Sequence, residues 1–187
     1  MTQILSAVQN ADFAVLDSLQ ASIRNPFLDT IMPYITHLGA GGILWIILAF
    51  ALIFLKKYRR SGFTVLTALI LCLIFCNGLL KNLVARIRPF DINTMIELLV
   101  EPPADFSFPS GHATASFAAA AALLLCRNKL FGIPALIIAV LIAFSRLYLY
   151  VHFPTDVFCG MMLGIILAFA AHMIMNVIYK KIEYRKT

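Results

Sequence analysis

Lys81 and Arg88, separated by six residues and followed by Pro89, begin a series of groups suited to phosphate chemistry. Pro109, Ser110, Gly111 and His112 follow, and then Ser145, Arg146, His152 and Asp156. Lys81, Arg88 and Arg146 offer positive charge, and the planar guanidinium fork matches phosphate oxygens two at a time. Ser110 has the chemistry of a helix N-cap, and Gly111 lets backbone come close to a ligand. The helix they open would present free N–H groups and its positive dipole end to an anion. His112 and His152 add what binding lacks, a nucleophile and a proton donor that work near neutral pH. Asp156, four residues after His152, is placed to accept a hydrogen bond from one ring nitrogen, which leaves the other free to attack phosphorus. Pro154 between them predicts a helix start, so the pair is not expected on one helical turn.

Each part alone is weak: a single histidine at a helix end is more often structural, and Pro-Ser-Gly alone is a turn. His37 and His172 stay in the structural class, because neither has cationic or carboxylate partners at matching depth. The three motifs gain force from the elements that must position them.

Of the 187 residues, 61% are hydrophobic and 13% charged, and the mean hydropathy is +0.91, which excludes an ordinary soluble domain and predicts a polytopic membrane protein. Five spanning helices are expected, roughly Ala40 to Leu55, Phe63 to Leu80, His112 to Cys126, Phe131 to Leu149 and Thr155 to Tyr179. They make an all-α bundle and a single domain over residues 1–187. The third span is short and alanine-rich, and is expected inside the bundle. Ahead of the first span, Ile4, Leu5, Val8, Phe13, Val15, Leu16 and Leu19 recur at near-helical spacing up to Asn25-Pro26. That pattern predicts an amphipathic interfacial helix, with a sixth, weakly apolar span as the alternative. Met1 to Asn10 lacks a basic residue and does not read as a cleavable signal.

Lys56, Lys57, Arg59 and Arg60, then Arg127 and Lys129, then Lys180, Lys181, Arg185 and Lys186 alternate with the spans and fall on one side, expected to be cytoplasmic. Eight of the nine acidic residues, all but Glu183, fall on the other side or in the N-terminal segment. The net charge of +6 then reads as an inner-leaflet anchor, and nucleic acid is not an expected partner. All three motifs arrive at the opposite, outer face. Arg24 and Arg86 read as side chains snorkelling to outer headgroups. Cys72, Cys76, Cys126 and Cys159 lie in apolar runs, which suits packing better than disulfides or zinc. Between the first two motifs, Met95 to Val100 reads equally as a short membrane-resting helix ended by Pro102-Pro103 or as a surface loop.

The pattern K-x6-R-P, P-S-G-H, S-R-x5-H-x3-D resembles the three-part signature of the type 2 phosphatidic acid phosphatase (PAP2) superfamily, which also includes vanadium haloperoxidases and bacterial acid phosphatases. Every signature position from Lys81 to Asp156 is matched. The resemblance implies that Lys81, Arg88, Arg146, Ser110 and Gly111 hold the phosphoryl group. It further implies His152 as nucleophile, Asp156 as its partner and His112 as general acid, with no metal and no cofactor. Many integral members have six spans, against five plus an interfacial segment here. The expected activity is hydrolysis of a lipid phosphate at the outer face of the cell membrane. A polyprenyl (undecaprenyl) diphosphate is the first expectation, and phosphatidate or phosphatidylglycerophosphate the second. A flippase or anion transporter would share the cations, but has no use for a His-x3-Asp pair beside a second histidine at a helix N-terminus. The lipid itself and the oligomeric state are not legible.

Overall fold

The computed structural model describes residues 2–184, with side chains except those of residues 2, 4 and 5. Ile4 and Leu5 of the N-terminal pattern and Arg185 and Lys186 of the last basic cluster therefore lie outside the described side chains. The described residues form helices α1 (Thr2–Ser22), α2 (Pro26–Leu38), α3 (Ile43–Phe54) and α4 (Arg59–Cys72), the last continued by a π-helical stretch, Leu73–Leu80, into α5 (Lys81–Val84). After α6 (Pro89–Ile92) and a long loop come α7 (Gly111–Leu125), α8 (Lys129–Tyr148) and α9 (Pro154–Tyr184).

Among the described residues, three stretches are long and apolar enough to cross a membrane: Arg59–Ile92, Lys129–Tyr148 and Pro154–Tyr184. A fourth is α2 with Ala40–Phe54, if this pair, bent by 41°, is one span. The bend follows from Gly41 and Gly42 at φ 58° and 69°, values that glycine adopts without penalty. The first span expected from Ala40 does not include the thirteen residues of α2: the polar Asn25-Pro26 step that closes the N-terminal pattern also opens this helix, where Asn25 caps Leu28 N–H.

At the centre stands α7, packed against α4, α8 and α9. Its fifteen residues reach only about 22 Å, and Ala113, Ala118, Ala119, Ala120 and Ala122 are fully buried, as the alanine-rich composition predicts. The close approach of α9 depends on Gly160 and Gly164. A Cβ on Gly164 would stand 2.3 Å from the Thr114 carbonyl oxygen, and one on Gly160 2.7 Å from that of Ser110. Small residues four apart are what bring two helix backbones together in a membrane.

Helix α1 docks on the end of the bundle where α8 gives way to α9. Leu16 is fully buried with Tyr150 and Phe153, Phe13 meets Phe153 edge-on at 5.1 Å, and Tyr150 Oη donates to Asp17 at 2.7 Å. The segment from Met95 to Val100 forms turns and bends rather than a helix, with Leu98, Leu99 and Val100 tucked against Met32 and Tyr148. The four cysteines are free.

Candidate active site

The alternation of α4–α5, α7, α8 and α9 carries the chemistry to one end of the bundle. Lys81 lies past the π-helical stretch, in the last turn of that long helix; π turns inside helices often mark functional positions. Ala85, at φ 48°, stops the helix so that Arg86 to Arg88 run on into the α6 turn. Ser110 caps α7, its Oγ accepting from Ala113 N–H at 3.4 Å. Its own N–H donates to the Asp156 carbonyl at 3.1 Å, which ties the second motif to the third. Pro154 opens α9, leaving His152 in the connection as the sequence predicts.

A cavity of about 520 Å³ gathers Lys81, Arg88, Gly111, His112, Arg146 and His152. Six of the eight residues expected in the site thus line one space. Ser110 and Asp156, both fully buried, stand directly behind it. Away from the cations the cavity continues as an apolar channel between α3 and α4, along Ile46, Leu66, Leu69, Ile70 and Leu73. His112 and Arg146 also line a second opening beside Thr36 and Pro102-Pro103.

Arg88 is buried and organises the loop that precedes α7. Its Nε donates to the Asp105 carbonyl at 2.7 Å and its Nη1 to the Val151 carbonyl at 2.6 Å. Nη1 also stands 3.2 Å from His152 Nε2. Because arginine has no acceptor, Nε2 must present its lone pair, and the imidazole proton sits on Nδ1. Burial, then the charges of Arg88, Arg146 and Lys81 and of His112, push the His152 pKa well below its ordinary value. The ring is therefore held neutral, the state in which one ring nitrogen keeps its lone pair.

The expected Asp156 contact is looser than a direct bond. Its Oδ2 lies 3.7 Å from His152 Nδ1, and Ser107 stands between: Ser107 Oγ donates to Oδ2 at 2.5 Å and is 3.4 Å from Nδ1. Phe153 N–H donates to the same oxygen at 2.9 Å.

Two further residues escaped the sequence reading. Asp105 accepts from Arg88 Nη2 at 2.5 Å and pairs with the Lys81 ammonium, so a carboxylate stands among the cations that a phosphate would seek. Burial opposes its charge, but the hydrogen bonds and charges of Lys81 and Arg88 outweigh that and hold its pKa at about 2. Its position beside the Pro-Ser-Gly-His turn, in a chain with nine acidic residues, was the available signal. Arg86 is not a snorkelling side chain: Nη1 donates to Asp156 Oδ1 and Nη2 to Asp12 Oδ2, both at 2.7 Å. The snorkelling account fails because two buried carboxylates draw the guanidinium inward. Arg24 instead lies 3.4 Å from Asp29. His37 contacts the Pro33 carbonyl and lines the second opening with His112 and Arg146, and His172 lies near Cys126 Sγ.

Arg146 donates from Nη1 to Thr36 at 2.6 Å, while its Nε is buried without any partner among the described residues. Such a group is costly unless a ligand completes it.

The sequence pattern of the PAP2 superfamily matches residues 61–180. An undecaprenyl-diphosphatase of Sulfolobus acidocaldarius is 34% identical over 137 residues, 73% of this chain and 66% of its own, so the chain spans just under two thirds of that relative. Phosphatidylglycerophosphatase B of Bacillus subtilis is 35% identical over 179 residues, 88% of this chain and 83% of its own. The crystal structure of a transmembrane PAP2-type phosphatidylglycerolphosphate phosphatase from Bacillus subtilis superposes with a TM-score of 0.72 at 34% identity, covering 88% of this chain and 84% of that one. That of Aquifex aeolicus LpxE gives 0.72 at 28% identity, covering 85% and 93%. With the pattern spanning most of the chain and phosphatases among its relatives, this all-helical membrane protein belongs to the PAP2 superfamily of phosphatases.

Proposed function

We propose that the protein hydrolyses the terminal phosphate of a membrane lipid through a phosphohistidine on His152, with a polyprenyl diphosphate as the first candidate substrate. The observation that carries this reading is the convergence of Lys81, Arg88, Arg146 and both histidines on one cavity, with Arg146 Nε buried and unpartnered among the described residues. A buried donor among cations asks for an anion with several oxygens, and a tetrahedral phosphate supplies them. The apolar continuation of the cavity between α3 and α4 suits the chain of a lipid. His152 Nε2 would attack phosphorus while His112, at the N-terminus of α7, protonates the leaving oxygen and then activates water.

Phosphatidylglycerophosphate is the second reading, supported by the 35% identity over 88% of the chain to the Bacillus subtilis enzyme of that name. Phosphate release by the purified protein from undecaprenyl diphosphate, phosphatidylglycerophosphate, phosphatidate and lipid A separates these. Turnover of the polyprenyl diphosphate at least tenfold above the others supports the first reading, and the reverse ranking overturns it.

The topology proposed is of five spans, α2 with α3 as one and α4 to α5, α7, α8 and α9 as the rest, with α1 lying across the outer end. The basic clusters at the opposite end favour an extracytoplasmic site. Single cysteines at Asp105 and Lys57, in a background lacking the native four, test this with an impermeant maleimide on intact cells. Labelling at position 57 with protection at 105 would invert the orientation.

A further inference from the structure

We propose that Arg86 and Asp12 are positioning residues for catalysis, forming with Asp156 a three-member charge chain by which the N-terminal helix holds the carboxylate behind His152. The proposal rests on the reading of His152 as nucleophile and adds to it a function for α1, which carries none of the three motifs.

The geometry is continuous. Asp12, 3% exposed, accepts from Arg86 Nη2 at 2.7 Å, from Thr155 Oγ1 at 2.5 Å and, through Oδ1, from Thr155 N–H at 3.0 Å. Arg86 Nη1 donates in turn to Thr155 Oγ1 and to Asp156 Oδ1, each at 2.7 Å. The guanidinium lies over the Phe153 ring at 4.0 Å, while Phe13 of α1 closes on the same ring. Through its backbone, the Arg86 carbonyl accepts from Ser107 N–H at 2.8 Å, and Ser107 Oγ donates to the other oxygen of Asp156. Both carboxylate oxygens are thus placed by way of Arg86, one by its side chain and one by its main chain.

Charge gives the arrangement its chemical sense. When Nε2 takes a phosphoryl group and Nδ1 keeps its proton, the ring becomes cationic and needs an anion behind it. Asp156 paired with Arg86 alone would be neutral overall; the second carboxylate of Asp12 restores one net negative charge. Conversely, two carboxylates without Arg86 would hold two unopposed negative charges side by side. Asp12 with Arg86 therefore keeps Asp156 oriented and leaves the three groups together with one net negative charge.

The groups facing His152 are Arg88, Lys81, Arg146 and His112 on the cavity side, and Ser107 and Asp156 behind. None of these changes in the test. The full chain in detergent, with histidine labelled at ring carbon and the His152 resonance assigned by its loss in His152→Gln, reports the pH at which the His152 ring takes up a proton. Arg86→Gln, which leaves two unopposed carboxylates, should move that pH upward. Asp12→Asn, which leaves a neutral pair, should move it downward. Both should lower kcat by about ten- to a hundredfold with KM changed by less than about threefold. Arg86→Lys keeps the charge, and should leave the titration near the wild-type position while recovering part of kcat, even if Arg86→Gln folds poorly. Equal loss of kcat in both variants with no movement, or movement in the same direction, would overturn the chain. Full activity of His152→Ala would instead overturn the nucleophile reading, a separate result.

Discussion

Arg88 Nη1 stands 3.2 Å from His152 Nε2, and this contact fixes which ring nitrogen faces the cavity with a lone pair. It also keeps a permanent cation beside the proposed nucleophile. Since the His152 pKa is pushed far below its usual value, the neutral ring persists as pH falls through 6.5 instead of being lost there. In the titration of labelled histidine, the His152 resonance should remain at its neutral position at pH 6.5. A midpoint near 6.5 in the ligand-free protein would contradict the burial and the cationic surroundings.

Asp105 pairs with Lys81 and Arg88, where a phosphate bound as proposed would compete with it. Its pKa of about 2 means the carboxylate stays charged at any working pH, so the competition does not vary between pH 4 and 9. Its folded pKa is depressed, so any stability it contributes is present above pH 4 and lost only as pH falls toward 2; with a half-exposed side chain that contribution is small. Asp105→Asn should tighten inhibition by vanadate or inorganic phosphate by about three- to tenfold. Weaker inhibition would show that Asp105 serves to aim the cations.

Arg146 offers a fork that a point charge cannot replace, with Nη1 on Thr36 and a buried Nε that has no partner among the described residues. Arg146→Lys should reduce kcat/KM by about a hundredfold. Activity is expected to survive excess EDTA and to fall with vanadate. A chelator-sensitive activity restored by Mg²⁺ would refute a pocket that works by cations and histidines alone.

Much of the site was legible because its chemistry is written in local spacing. Lys81 to Pro89, Pro109 to His112 and Arg146 to Asp156 each need only a turn or a helix end to take effect, and short-range rules place those. Arg86 was misread because its partners lie 70 and 74 residues away, a separation no periodicity reports. In the sequence Asp12 is only a break in the apolar pattern of α1, yet that break is the contact. The bend at Gly41 and Gly42 hid α2 for a similar reason, since positive φ at two glycines joins two segments that hydropathy separates. Gly160 and Gly164, by contrast, were readable as a small-residue pair and were overlooked.

Gly164 offers the cleanest packing test, because a Cβ there would meet backbone atoms at 2.3 and 3.0 Å that cannot yield. Gly164→Ala should cost about 1–3 kcal/mol of stability and lower activity by shifting Asp156 relative to Ser110. Gly78→Ala, whose Cβ would meet only the Leu73 carbonyl at 3.5 Å, should change neither. Thermal unfolding in detergent decides it: equal Tm values for the two variants would mean that α7 and α9 do not depend on this approach.

The covalent mechanism predicts that the two histidines fail in different ways. His152 lies against Arg88 and Ser107 with Nε2 toward the cavity, whereas His112 faces the same space from the start of α7, with its ring held against Gly39. His152→Ala should abolish turnover and any trapped intermediate. His112→Ala should lose turnover of natural lipids, yet still become phosphorylated by an analogue whose leaving group needs no proton. Asp156→Asn should slow the reaction by mis-setting the ring proton, as in the serine-protease triad, where the loss is about ten-thousand-fold. Here Ser107 and Phe153 N–H still hold one oxygen, so the loss should be smaller, about a hundred- to a thousandfold. Quenching at alkaline pH, where phosphohistidine survives, followed by peptide mapping locates the phosphate. Label on Ser110 or Ser107, or undiminished turnover by His152→Ala, would rule the mechanism out.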